Sequence, residues 1–431
     1  MSALAHLPAD YPERYALADE VHARPYEALE TPERASHLAV LVEPEERAQE
    51  RDHLLALCAR FGVAPPAAGE GHFRAPFGPF RLKWERHGEF STYTVFVRGL
   101  SQQPFSAPAL GFAPADWVAA IPGRTIVAAH AKLAPAASEP FDPAALTAHF
   151  EGNVVAGGEI GDGAGLAFTD FRIRSDGFVR FLVLDRSLTP RQAGRMLQRL
   201  FEIEAYRVLA LLALPFARRE GPRVLEIERA LASLTGEIGR EGREDEALLA
   251  DLTRLAAEVE GKVAATQTRF GASRAYYDLV RARIVELRER RIPGLQTIEE
   301  FMARRLGPAV ATCEAVARRL TDLSERVARA SGLLSTRVDI SRQRQNQALL
   351  ASMNRRARLQ LRLQETVEGL SIAAITYYVV GLVGYGAKAL RTAGVAVDPD
   401  LAVGVAIPIV AILAALGARY MRRRIVAAER A

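Results

Sequence analysis

Two stretches near the end of this chain carry no charged residue: Gly369 to Ala387 (GLSIAAITYYVVGLVGYGA) and Leu401 to Ala418 (LAVGVAIPIVAILAALGA). As helices rising about 1.5 Å per residue, they would reach roughly 27 to 29 Å, close to the hydrocarbon thickness of a bilayer. Both are apolar around their whole circumference and lie near the chain end with little sequence left to cover them, which weighs against a pair of buried core helices. The sequence therefore predicts a two-helix transmembrane hairpin, with membrane lipid as its partner. Arg355, Arg356, Arg358 and Arg362 precede the first run, and Arg419, Arg422, Arg423 and Arg424 follow the second. The connection holds only Lys388 and Arg391, offset by Asp398 and Asp400. The positive-inside bias then puts both termini in the cytoplasm and the short loop outside. The basic cluster Arg355, Arg356, Arg358, Arg362, Arg422, Arg423 and Arg424 would face anionic lipid of the inner leaflet. Tyr377 and Tyr378 lie too deep for interfacial anchors and are expected to face a neighbouring helix.

Gly369, Gly381, Gly384 and Gly386, with Tyr385 among them, fall on or near one side of the first run. Small residues at such spacing let helices approach closely, either within the hairpin or between copies of the chain. Association is the reading for the set, so a homo-oligomer is expected.

Upstream, the pattern is helical over a long distance. Glu244 to Arg291 lacks proline and repeats apolar residues through Leu248, Leu252, Leu255, Val259, Val263, Tyr276, Leu279, Val280, Ile284 and Leu287. The break IPGLQ, Ile292 to Gln296, leads into Thr297-Ile-Glu-Glu300, a capping box. Beyond it, Cys313, Val316, Leu320, Leu323, Val327, Ala330 and Leu334 recur three and four apart, the spacing of a coiled-coil-like seam. The two segments should fold back antiparallel. A continuous helix from Pro308 to Gly369 would extend roughly 90 Å. At Ser341 to Gln347, SRQRQNQ interrupts the seam, either fixing register in an oligomer or marking a solvated patch.

Residues up to about 187 read as strands between turns. HLAVLV (37–42), FRLKWERH (80–87), STYTVFVRG (91–99) and RTIVAAHAKL (124–133) are short and β-rich, and Phe168 to Asp185 is a hairpin turning at Asp176-Gly177. With a helix over Glu45 to Gly62, this is an α+β domain. Thr189-Pro190-Arg191-Gln192 opens the following helix. The expected division is 1–187 (α+β, cytoplasmic), 188–368 (long-helix stalk), 369–418 (membrane helices 369–387 and 401–418) and 419–431 (basic tail). The N-terminal MSALAHLPADYPERYALADEV lacks a basic region followed by an apolar core and is not read as a secretory signal.

Chemistry-bearing patterns are sparse. Cys58 and Cys313 are the two cysteines, without disulfide or zinc spacing. The net charge of +5 comes almost entirely from arginine, with very few lysines, a usage that reflects base composition more than nucleic-acid binding. No pair of the eight histidines has the spacing of a helical metal site, and no metal or cofactor is expected. EVHARP (20–25) and KWERH (83–87) gather acidic, basic and imidazole groups, making His22, Arg24, Trp84, Glu85 and His87 the candidate N-terminal site. Salt-bridged turns do the same. Gly158 to Phe168, GEIGDGAGLAF, lacks the Lys-Ser/Thr ending of a phosphate-binding loop and reads as a loop. No hydrolase elbow or kinase signature is present, so an enzyme is not expected.

EVHARP, RASHLAVL, FRLKWERHGEFSTYT, TDFRIRSDGFVR, LTPRQAGRMLQRLFEIEAYR, RIPGLQTIEEFMARRL and LQETVEGLSIAAITYYVVGLVGYGAK together resemble an uncharacterised bacterial membrane-anchored family with a domain of unknown function. The resemblance spans nearly the whole chain. It implies the bacterial inner membrane and supplies no catalytic residues. In architecture the chain is also similar to CorA-type magnesium channels, which are pentamers. Their Gly-Met-Asn signature closes the first membrane helix, where this sequence has Gly381-Leu382-Val383 or Gly384-Tyr385-Gly386. The asparagine amide that would meet a hydrated ion is missing. Asp398 and Asp400 in the outer loop could concentrate a divalent cation, or merely follow the topology rule. The expectation is a homo-oligomeric, CorA-like scaffold or sensor. An ion channel or transporter comes second, and a membrane-tethered enzyme third.

Overall fold

The computed structural model describes residues 9–20, 25–101, 105–138, 142, 146–147, 149–238, 244–394 and 396–428. The chain divides into two compact units, 1–331 and 332–431.

The first unit is built on a mixed eight-stranded sheet: β1 (Glu33–Leu41), β2 (His72–Pro76), β3 (Arg81–Arg86), β4 (Phe90–Arg98), β5 (Arg124–Pro135), β6 (Ala156–Ile160), β7 (Gly165–Thr169) and β8 (Val179–Asp185). The order is β2-β3-β4-β1-β5-β8-β7-β6, with β5 and β8 parallel and every other neighbouring pair antiparallel. β1 and β4 are buried along nearly their whole length, as central strands covered on both faces must be.

Nine α-helices lie among the described residues: α1 (Arg14–Glu20), α2 (Arg47–Phe61), α3 (Ala115–Ala119), α4 (Pro190–Leu211), α5 (Leu214–Ile238), α6 (Asp245–Leu287), α7 (Ile298–Arg305), α8 (Gly307–Thr392) and α9 (Pro399–Ala428). Helix α2 ends where Gly62 takes a left-handed conformation (φ 66°), and it packs Leu54, Leu57 and Cys58 on Leu82, Trp84 and Tyr93 of one sheet face. Helix α4 opens with the predicted Thr189/Gln192 capping box and lays Leu197, Leu200 and Phe201 on the opposite face, against Ala39, Phe90 and Phe181. Each such large side chain buried contributes about 1.5–3 kcal/mol.

The same core takes in Val280, Ile284 and Leu287 of α6 and Ile298 and Met302 of α7. The sheet and residues 188–331 therefore lie in one compact unit, which ends at Ser331. Ion pairs fix the helix directions. Arg223 of α5 meets Glu258 of α6 (2.6 Å), and Lys262 meets Glu220 (2.6 Å). Arg274 of α6 meets Glu314 of α8 (2.6 Å), while Ser324 bonds Glu260. Thus α6 runs antiparallel to both neighbours. The seam residues Cys313, Val316, Leu320, Leu323, Val327, Ala330 and Leu334 are all buried.

Two differences from the sequence reading concern the sheet edges. The glycine-rich segment 158–168 is not a loop: it is most of the β6/β7 hairpin. Gly158 is needed because a Cβ there would sit 2.4 Å from the Arg290 carbonyl oxygen, where the Glu159 and Arg290 backbones pair. Strand β2, only five residues ending in proline, carried no strand signal of its own and is held by pairing with β3.

In the second unit, α8 from Gly332 onward has nearly every side chain exposed between Asp339 and Val367. Further on, Val380 and Ala387 are buried, and a Cβ on Gly384 would stand 3.0 Å from Val403 Cγ2 of α9. Two helices, the end of α8 and α9, are long and apolar enough to cross a membrane, and only 6% and 0% of their most apolar windows are buried.

Candidate functional site

The registers of β1, β4 and β3 line residues up in rows on the face covered by α4. His37, Thr94 and Lys83 form one row, and Ala39, Thr92 and Glu85 the next. Because side chains alternate along a strand, Lys83, Glu85 and His87 share this face while Trp84 points through the sheet. A polar patch thus lies beneath α4, whose own Gln198 and Glu202 face it. Between it and α4 is a cavity of about 40 Å³, reached by Phe90, Phe96, Leu197, Phe201 and Tyr206.

Its polar groups form a chain. Lys83 Nζ donates to Gln198 Oε1 (2.9 Å) and lies 3.1 Å from Glu85 Oε1. Gln198 Nε2 donates to Glu202 Oε1 (2.7 Å), and Arg199 Nη1 donates to Glu202 Oε2 (2.6 Å), which Arg283 of α6 also pairs. His37 Nδ1 shares a hydrogen bond with Thr94 Oγ1 (2.8 Å), and its ring stacks on Phe201 at 4.6 Å. His37 Nε2 is buried without a partner. Burial, followed by the positive fields of His87 and Lys83, pushes the His37 pKa down to about 3, so the ring is neutral. Burial, then Glu202, pushes Tyr206 up to about 12.

Helix α4 comes this close because Gly194 has no side chain: a Cβ there would meet the Glu27 carbonyl oxygen at 1.6 Å. Leu29 N–H bonds the Pro190 carbonyl (3.0 Å) and Tyr26 takes a bond from Arg199 (2.6 Å), which holds the entering chain along the helix.

Of the candidate N-terminal set, Glu85 and His87 line the cavity. Trp84 lies on the other face, donating to the buried carboxylate of Glu50 (3.1 Å). His22 and Arg24 lie outside the described residues. The sequence reading missed His37, Thr92, Thr94, Gln198 and Glu202, which reach the site from three further elements; Lys83 was readable from its alternation with Glu85 and His87. Among the described residues, no group of three or more His, Cys, Asp or Glu could hold a metal ion.

In the second unit, Gly384 packs within the hairpin, while Gly369, Gly381 and Gly386 have nothing within 4 Å of a Cβ position. Tyr385 is exposed beside them. Asp398 has a local use: its carboxylate accepts the Asp400 N–H (3.0 Å) and its carbonyl the Ala402 N–H (3.0 Å) at the start of α9, leaving Asp400 exposed. Arg355, Arg356, Arg358 and Arg362 are exposed on α8, and the side chains of Arg422, Arg423 and Arg424 lie outside the described residues.

No curated protein and no solved structure matches this chain. A family model described as "Protein of unknown function (DUF3422)" matches residues 9–425. With that span, nearly the whole chain from the sheet through the apolar helices, the protein belongs to this family.

Proposed function

We propose that the protein is an integral membrane protein, anchored by the end of α8 and by α9, whose sheet unit serves at the cytoplasmic surface as a scaffold or sensor rather than as a catalyst. The observation that carries this is the absence of cover: the most apolar windows of the two helices are 6% and 0% buried. A core helix of a water-soluble protein hides such a surface. Here, exposed Leu370, Ile375, Leu382, Leu401, Ile412 and Leu413 need an apolar solvent. The arginines before the first run favour a cytoplasmic position for both flanks, and each contributes about 1 kcal/mol of attraction to an anionic leaflet.

Self-association is the finer part of the reading. Gly369, Gly381 and Gly386 are unused within the hairpin, and Tyr377 and Tyr378 expose phenols mid-run, where lipid offers them no hydrogen bond. A second copy supplies both a close-packing surface and partners. A CorA-like build rests on this order of elements alone. Alkaline carbonate washing of membranes from expressing cells tests the anchor: the full chain should stay in the pellet, and release into the supernatant refutes it. Mass measurement in detergent tests association, which a clean monomer refutes.

A further inference from the structure

The cavity under α4 offers more hydrogen-bonding capacity than the chain uses. Lys83 has three N–H donors, of which Gln198 accepts one, while Glu85 balances its charge from 3.1 Å. Thr92 is 4% exposed, and its hydroxyl makes no hydrogen bond to the described residues. His37, 6% exposed, uses Nδ1 on Thr94 and leaves Nε2 buried and unpartnered. Orphaned polar atoms in an interior are costly unless something else meets them. Space for that exists: a cavity of about 40 Å³ holds about three or four non-hydrogen atoms at roughly 10–15 Å³ each.

Charge decides what fits. Lys83 is matched by Glu85, Glu202 by Arg199 and Arg283, and Glu27 by Arg81. An ion entering this set would be an uncompensated buried charge, which an interior tolerates poorly. The unused groups are a donor on Lys83, a hydroxyl on Thr92 that can donate or accept, and an imidazole nitrogen whose role follows its tautomer. Phe90, Phe96 and Phe201 wall the remaining space with flat apolar surface.

We infer that this cavity is a binding site for an uncharged molecule of about three or four non-hydrogen atoms carrying a carbonyl acceptor beside an N–H donor, the amide and urea type. The carbonyl takes the Lys83 donor, and the N–H group meets His37 Nε2 and the Thr92 hydroxyl. Such binding deepens the sensor reading of the sheet unit and rests on it, while membrane insertion can fail without affecting it. For so small a ligand the expected Kd is on the order of 0.1 to 1 mM.

The test uses the full chain in detergent, labelled with ¹⁵N at histidine and titrated with acetamide. The readout is the His37 imidazole nitrogens, identified by their loss in a His37→Asn variant. The expected result is a saturable shift at Nε2, with acetate, the charged isostere, at least about tenfold weaker. Thr92→Val removes an unpartnered hydroxyl without changing shape and should weaken acetamide about five- to tenfold; Thr92→Ser should retain binding. Tryptophan fluorescence from Trp84 and Trp117, the two tryptophans of the chain, both buried in this unit, reports that each variant is folded. An unmoved His37 signal, meaning water only in the cavity, overturns the proposal. So does acetate binding as tightly as acetamide, or a Thr92→Val variant that binds unchanged.

Discussion

Acid should unfold the sheet unit through His37. Its folded-state pKa of about 3 stands against an ordinary value of 6.5, because burial opposes the charge and the fields of His87 and Lys83 add to that. A histidine with a depressed folded pKa gives stability that is fully present above the unfolded value and lost as pH falls from 6.5 toward 3. Each unit of pH in that window removes up to about 1.4 kcal/mol, so His37 alone accounts for about 2 kcal/mol by pH 5 and about 3 by pH 4. The assay is urea unfolding of the full chain in detergent at several pH values, followed by the fluorescence of Trp84 and Trp117, which reports on the sheet unit alone. Carboxylates titrate in the same range, so the informative quantity is the difference between wild type and His37→Asn, which keeps a hydrogen-bonding group near Thr94. The variant's stability should fall less steeply below pH 6.5. His130, on the other face, is pushed down to about 4, mainly by burial, and contributes equally to both curves. Parallel curves for wild type and variant between pH 6.5 and 4.5 would refute a buried, neutral His37.

Removing Lys83 as Lys83→Met leaves Glu85 and the Gln198 oxygen buried without their partner and should cost about 3–5 kcal/mol, whereas Lys83→Met with Glu85→Leu should recover most of it. Urea titration of the four members of that cycle checks this, and equal losses in the single and double variants count against a desolvated pair. Gly194→Ala places a methyl group on the Glu27 backbone. It should destabilise by about 1–3 kcal/mol in the same titration despite alanine's better helix propensity, and no loss would mean that the 25–30 segment is not held against α4.

What was legible in the sequence was whatever short-range physics decides. Thr189 and Thr297 announced their helices because a capping box closes within three residues, and both boxes form as read. The strands around 37–42, 80–87, 91–99 and 124–133 were visible because β-rich runs bounded by glycine or proline have few other uses. The hairpin at 158–168 was invisible for the opposite reason. Its Gly158 answers to Arg290, more than a hundred residues away, and nothing local distinguishes a glycine kept for close approach from one kept for flexibility. The cavity was half legible. Alternation puts Lys83, Glu85 and His87 on one face and Trp84 on the other, and His37 joins only through the β1–β4 register. A site assembled in rows across three strands is written in pairings that no single strand contains.

Those rows also connect the cavity to α6, and Glu202 is where the connection can be measured. One of its oxygens orients Gln198, which holds Lys83, and the other receives Arg199 and Arg283, the latter from α6. Glu202→Gln keeps the shape and removes the charge. Both guanidinium groups retain Glu286, but that carboxylate is 40% exposed and screened, so the loss should be about 1–2 kcal/mol rather than the 3–5 of a fully broken buried pair. The sharper expectation concerns Lys83, which makes no direct bond to Glu202. If Gln198 is held in one orientation by Glu202, then Glu202→Gln and Lys83→Met each disturb the same amide, and their effects should fall short of additivity by more than about 0.5 kcal/mol. Independent groups that merely line one cavity would add within that margin. Additivity in the urea titration would leave the Lys83 pair as a local feature of the sheet and break the link to α6.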